Sequence, residues 1–228
     1  MPETYFLEQH DGSRIAYNIL EPNNPEDIKK TPLVLIMGFV VSSYDPISLD
    51  LMAQDTVALV KHLKIKRFNL LGWSMGRIAV HVASNLPSDL EIEKLILCSS
   101  PVRPPEPSEF DSQRPPDIPK NIQEQKDKIM KKSEKTFTDY MVEHPDIFDK
   151  YAEIKFKAFE KHYPFEISKR QWEAIRDSNI LSRSQTIMVP TLLIHGEADQ
   201  VVSIKECKLL ADEIPNNKFI SIPKVGHM

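Results

Sequence analysis

Ser74 is the residue of this 228-residue chain whose neighbours point most directly to chemistry. It lies in Gly72-Trp73-Ser74-Met75-Gly76, after the apolar run Phe68-Asn69-Leu70-Leu71 and before a run in which Met75, Ile78, Ala79, Val82, Ala83 and Leu86 recur at helical spacing. A strand, a sharp turn and a helix hold a serine in a strained backbone conformation, and the two glycines leave room for that turn. The hydroxyl then stands clear of the sheet, and the N–H of Met75 points to where a negatively charged oxygen would form. A serine hydroxyl is a poor nucleophile at neutral pH, so it needs a base that titrates near neutrality, which histidine does. The chain also carries Asp199 after Gly196, and His227 after Gly226. Taken singly, Asp199 reads as a turn residue and His227 as a polar residue near a chain end.

The elements that must position these residues alternate between strand and helix. Tyr5 to Gln9 and Arg14 to Leu20 flank His10-Asp11-Gly12-Ser13, and Asp-Gly between two extended runs predicts a β-hairpin. Leu33 to Met37 is an apolar run of strand length, ended by Gly38. Ser48 to Leu63 has helical spacing and leads into the serine strand, which implies a parallel pair joined by a crossover. Lys94 to Cys98 predicts a third parallel strand. Pro190 to Gly196 and Lys218 to Ile222 predict two more, separated by a helix that starts at a capping box formed by Ser203 and Glu206.

Between these two sets of strands the character changes. Seven of the twenty residues from Pro101 to Lys120 are proline, which prevents regular structure there. A lysine-rich, mostly helical stretch follows to Ser184, with Ile129, Met130, Phe137, Met141, Phe148, Phe156, Phe159, Phe165 and Trp172 as its apolar residues. Its lysines could face an anionic partner, but they interleave with acidic residues, which favours a solvated helix face.

Composition narrows the classes. Hydrophobic content is 41%, charged content 27% and the formal net charge −4, which gives no footprint for nucleic acid. No apolar run is long enough for a membrane span, and Met1 to Phe6 lacks the basic and apolar regions of a secretory signal. Cys98 and Cys207 lie in apolar strand and helix patterns, so buried free thiols and a cytoplasmic location are expected. No metal-ligand spacing is present, and neither a metal nor a cofactor is expected.

Four stretches occur in a telling order: Leu35-Ile36-Met37-Gly38-Phe39, Gly72-Trp73-Ser74-Met75-Gly76, Pro190-Thr191-Leu192-Leu193-Ile194-His195-Gly196-Glu197-Ala198-Asp199, and Gly226-His227-Met228. Together they resemble the α/β-hydrolase superfamily, in which serine, acid and histidine follow one another in the chain. The resemblance implies a mostly parallel sheet flanked by helices, with residues 1–101 and 185–228 as the core and 102–184 as an inserted helical cap. It makes Ser74 the nucleophile, His227 the general base and Asp199 the carboxylate that orients it, with the N–H groups of Met75 and Phe39 as oxyanion donors. It implies a carboxylesterase-like serine hydrolase acting through an acyl-serine on a small ester-like substrate. The cap aromatics suggest that this substrate is apolar. His81 and His195 are expected to be structural, and Trp73 to be a pocket wall.

Three departures from the family pattern carry consequences. About one strand-helix-strand unit is absent around Val40, which leaves Leu33 to Met37 either joined to the hairpin or standing as an apolar edge. Arg77 occupies a position where the family usually has glycine, with a cost of about 1–3 kcal/mol if the side chain cannot swing outward. The helix that ends the family's sheet is also missing, since the sequence stops one residue past His227, which predicts a loosely held histidine. These departures raise an alternative from another class, an inactive homologue that binds a ligand or partner. A third reading keeps the triad and turns it to carbon–carbon bond hydrolysis or cofactor-free perhydrolysis.

Overall fold

Alternation along the serine strand shows how the sheet is built. From Arg67 to Trp73, Phe68 and Leu70 are fully buried while Asn69 and Leu71 are half-buried, the period-two pattern of a strand with one well-covered face. The computed structural model describes residues 3–10, 12, 14–36, 47–102, 119–133, 135–160, 170, 173–174, 178 and 180–227. Five strands, β3 (Leu33–Ile36), β4 (Arg67–Trp73), β5 (Glu91–Cys98), β6 (Thr191–Gly196) and β7 (Asn217–Ile222), form one parallel sheet in the order β3-β4-β5-β6-β7. The N-terminal hairpin, β1 (Thr4–Glu8) and β2 (Arg14–Asn18), is a separate antiparallel pair that turns at Gly12 with φ +81°.

Register places Gly72, Leu97, Leu193 and Phe219 side by side, and Leu71, Ile96, Leu192 and Lys218 in the adjacent row on the other face. The first face is the core. Phe68, Leu70, Leu95, Leu97 and Leu193 pack with Met52 and Val60 of α1 (Leu49–His62), Ile78 and Val82 of α2 (Ile78–Ser84) and Leu210 of the C-terminal helix. Ser48 caps α1 by accepting a hydrogen bond from Leu51 N–H at 3.2 Å, so the helix begins where its sequence pattern starts.

The opposite face is poorly covered. Leu71, Ile96, Leu192 and Ile194 are only half-buried, none of them joins the buried cluster, and Ile220 and Ile222 are exposed. At its end, Leu33 and Leu35 of β3 are 55% and 50% exposed. Of the two outcomes expected for β3, the edge is the one observed. Among the described residues β3 pairs only with β4, and the hairpin does not close onto it.

Between β5 and β6 the described residues form α3 (Ile122–Lys132), α4 (Lys135–Glu143), α5 (Pro145–Glu160) and the short α6 (Leu181–Ser184), followed after β6 by α7 (Ile204–Glu213). Ile129, Phe137, Met141 and Ala152 make a small apolar cluster of their own, separate from the sheet core. At the two ends of the stretch, Val102 and Ile180 are fully buried in the main core. Phe165 and Trp172 lie outside the described residues. No helix among the described residues is long and apolar enough to cross a membrane.

Candidate active site

β4 ends at Trp73, and Ser74 opens a tight 3-10 turn, Ser74–Arg77, that runs directly into α2. Ser74 has φ +57°, a left-handed conformation that costs a non-glycine residue of order 1–3 kcal/mol and persists only where its surroundings enforce it. The flanking glycines show what those surroundings are. A Cβ on Gly72 would stand 2.0 Å from the carbonyl oxygen of Gly76, and one on Gly76 would stand 2.8 Å from that of Ile36. The motif is therefore a steric requirement of folding helix against strand, and it leaves the hydroxyl at the strand's carboxyl end.

Two loops bring the partners. Asp199 follows β6, where its Oδ1 accepts hydrogen bonds from the N–H groups of Val201 at 2.9 Å and Val202 at 2.7 Å. His227 follows β7, in a loop held by Ala198 N–H donating to Val225 O at 2.9 Å and Glu197 N–H donating to Ile222 O at 3.0 Å. Gly196 permits this approach, since a Cβ there would meet Val225 O at 2.2 Å and Gly226 O at 2.5 Å. The imidazole bridges the other two residues, with Nδ1 2.9 Å from Asp199 Oδ2 and Nε2 2.9 Å from Ser74 Oγ. With Nδ1–H donating to the carboxylate, the neutral ring leaves Nε2 to accept the serine hydroxyl.

Burial sharpens the electrostatics. The Asp199 side chain is fully buried and that of His227 is 8% exposed. Burial alone would push the Asp199 carboxyl up. The hydrogen bonds from His195, His227 and Val202 N–H outweigh it and hold the group well below the usual carboxylate range, so it is ionised at neutral pH.

The geometry adds two residues to the set read from sequence. Trp73, expected as a pocket wall, donates its indole N–H to the backbone carbonyl of His227 at 3.2 Å, and its ring lies 5.5 Å from the imidazole. The loosely held histidine expected near a chain end is thus pinned on both its ring and its backbone. His195 is fully buried with Nε2 2.9 Å from Val202 O and 3.3 Å from Asp199 Oδ2, a structural position as expected, though directly behind the acid. No sequence signal separates it from any other histidine after a buried strand. His81 lies away from the site, where its Nδ1 meets Asp50 Oδ1 at 2.9 Å. Met75 is buried at the position next to Ser74, and Phe39 lies outside the described residues.

A family model described as alpha/beta hydrolase fold matches residues 40–228. This chain belongs to the α/β-hydrolase family. Solved structures agree on the fold. A hydrolase from Pseudomonas aeruginosa PA01 superposes with TM-score 0.71 at 18% identity, covering 98% of this chain and 91% of that one. An enol-lactonase from Burkholderia xenovorans LB400 gives 0.70 at 18% identity over 96% and 91% of the two chains. An esterase from Exiguobacterium antarcticum gives 0.67 at 17% identity over 97% and 91%. No curated protein matches this chain by sequence.

Within this α/β-hydrolase frame Arg77 takes the inward of the two courses open to it. It does not swing outward but is fully buried, and its guanidinium donates to backbone and side-chain acceptors from two distant segments. Burial lowers its pKa to about 10, which leaves it charged at neutral pH.

Proposed function

We propose that this α/β-hydrolase is a serine hydrolase that cleaves a small, apolar ester or similarly activated carbonyl compound through an acyl-serine intermediate. The observation that carries the reading is the unbroken pair of 2.9 Å hydrogen bonds from Asp199 through His227 to Ser74. Ser74 Oγ attacks the carbonyl carbon as His227 Nε2 takes its proton, and Asp199 stabilises the imidazolium. The tetrahedral oxyanion is met by the N–H of Met75 and by that of Phe39, each worth about 3 kcal/mol of transition-state stabilisation. The alcohol leaves with the proton from His227. Water, deprotonated by the same imidazole, then releases the acid and restores Ser74.

In this reading the insertion 102–184 acts as a cap for the site, and the apolar character of its sequence favours an apolar acyl or alcohol group. The esterase and lactonase among the structural neighbours support the carbonyl class without naming the compound. Cys98 and Cys207 are free, and burial raises both thiols, Cys207 to about 12, so neither is a reactive thiolate at neutral pH.

One observation favours the binding-protein alternative, namely that β3, just before the segment that carries Phe39, pairs only with β4 among the described residues and exposes Leu33 and Leu35. Short-chain p-nitrophenyl esters assayed with the parent chain and Ser74→Ala separate the readings, together with labelling by a fluorophosphonate probe. Serine-dependent turnover and labelling are expected. A cooperatively unfolding parent chain that neither turns over nor labels would overturn the enzyme reading and leave the alternative.

A further inference from the structure

Arg77 is the largest fully buried side chain of the described structure and sits three residues past Ser74, in the turn that holds it. Its Nη1 donates to the carbonyl of Pro101 at 3.4 Å. Its Nη2 donates to the carbonyl of Ser178 at 2.6 Å and to the Ser178 hydroxyl. Pro101 is where the chain leaves β5 for the helical stretch, and Ser178 is where it returns toward α6. The two acceptor residues are 77 positions apart in sequence (178 − 101) and meet on one guanidinium.

We infer that Arg77 is a positioning residue that clamps both stems of the 102–184 insertion to the turn carrying Ser74, and so fixes where the insertion stands over the site. The part about the site rests on the hydrolase reading above, whereas the clamp itself does not. Three observations converge on it. The turn is closely packed, since a Cβ on Gly72 would stand 2.0 Å from Gly76 O and one on Gly76 2.8 Å from Ile36 O, which makes it a firm base for the side chain. The stems carry apolar anchors beside the clamp, with Val102 and Ile180 both fully buried. An arginine suits the task chemically, because its planar fork reaches acceptors in different directions, whereas an ammonium is a single point of charge.

Hydrogen exchange and steady-state kinetics on the whole chain test the clamp, comparing the parent with Arg77→Met and Arg77→Lys. For Arg77→Met the backbone amides of Val102 and of Ile180 to Ser184 are expected to exchange at least about tenfold faster, while those of β4 and β6 keep their protection. With p-nitrophenyl esters KM is expected to rise about tenfold with kcat within about threefold, as loss of substrate positioning predicts. Arg77→Lys should recover part of both effects.

Unchanged stem exchange in a folded Arg77→Met would overturn the clamp. So would exchange that rises equally throughout the sheet, since a merely structural arginine would loosen everything together. If Arg77→Met does not fold, Ser178→Ala takes its place. It removes the hydroxyl acceptor and keeps the Ser178 carbonyl, so a smaller rise in exchange, about threefold, is expected at Ile180 to Ser184 alone, and an unchanged pattern there overturns the inference. A parent chain without esterase activity would remove the hydrolase reading and leave the exchange experiment decisive.

Discussion

The Asp199 carboxylate is buried at no exposure and stays ionised only because N–H groups and two imidazoles surround it. Its folded-state pKa lies below the unfolded value of about 3.9, so its contribution to stability is complete above that pH. The contribution is lost as the pH falls through the depressed folded value. Asp199→Asn should therefore be less stable than the parent at pH 7, with a gap that narrows as the pH drops from about 4 toward 2. Denaturant titrations at stepped pH measure it, and a gap constant across that window would contradict the assignment. At this scale the sequence singled out Ser74, Asp199 and His227, which the fold brings into hydrogen-bond contact. It did not supply Trp73 as a hydrogen-bond donor to His227, because nothing in a dipeptide tells which distant carbonyl an indole will reach.

Elements hold these residues by backbone contact more than by side-chain packing. The loop carrying His227 lies so close to the end of β6 that only a missing Cβ at Gly196 allows it. Gly196→Ala should push Val225 and Gly226 away and move the imidazole. Displacements of about 1 Å typically cost about a hundredfold in rate. The expected result is a hundredfold loss of kcat with β-sheet content unchanged, read by ester hydrolysis and circular dichroism together. A variant with parental kcat would mean that the loop has slack the structure does not show. The strand and helix positions follow their sequence patterns closely, since burial on one face dictates period two in β4 and helical spacing in α1 and α2. Whether β3 would join the hairpin was open in sequence, because pairing is a choice between distant edges.

Over the whole molecule the two faces of the sheet are unequal, with a dense core on one and half-buried Leu71, Ile96, Leu192 and Ile194 on the other. A parallel sheet is ordinarily covered on both faces, and an open apolar edge is a template for association. Leu97→Ala, in the core face, should destabilise the fold by about 2–5 kcal/mol. Leu33→Lys with Leu35→Lys, on the exposed edge, should cost under about 1 kcal/mol and reduce concentration-dependent association. Denaturant midpoints and sedimentation velocity check the pair. A large stability loss from the double lysine variant would show that the edge is covered.

The sequence by itself determined the fold class, the order of strands and helices, and the steric need for glycine around Ser74. These depend on local periodicity and on short motifs, whose physics lies within a few residues. Tertiary structure alone decided that β3 stands at an edge, that Trp73 and His195 support the site, and that Arg77 is buried with two chain segments as acceptors. Each of those is a contact between residues far apart in the chain, where partner choice follows from packing and from satisfying buried polar groups, and no local pattern encodes it.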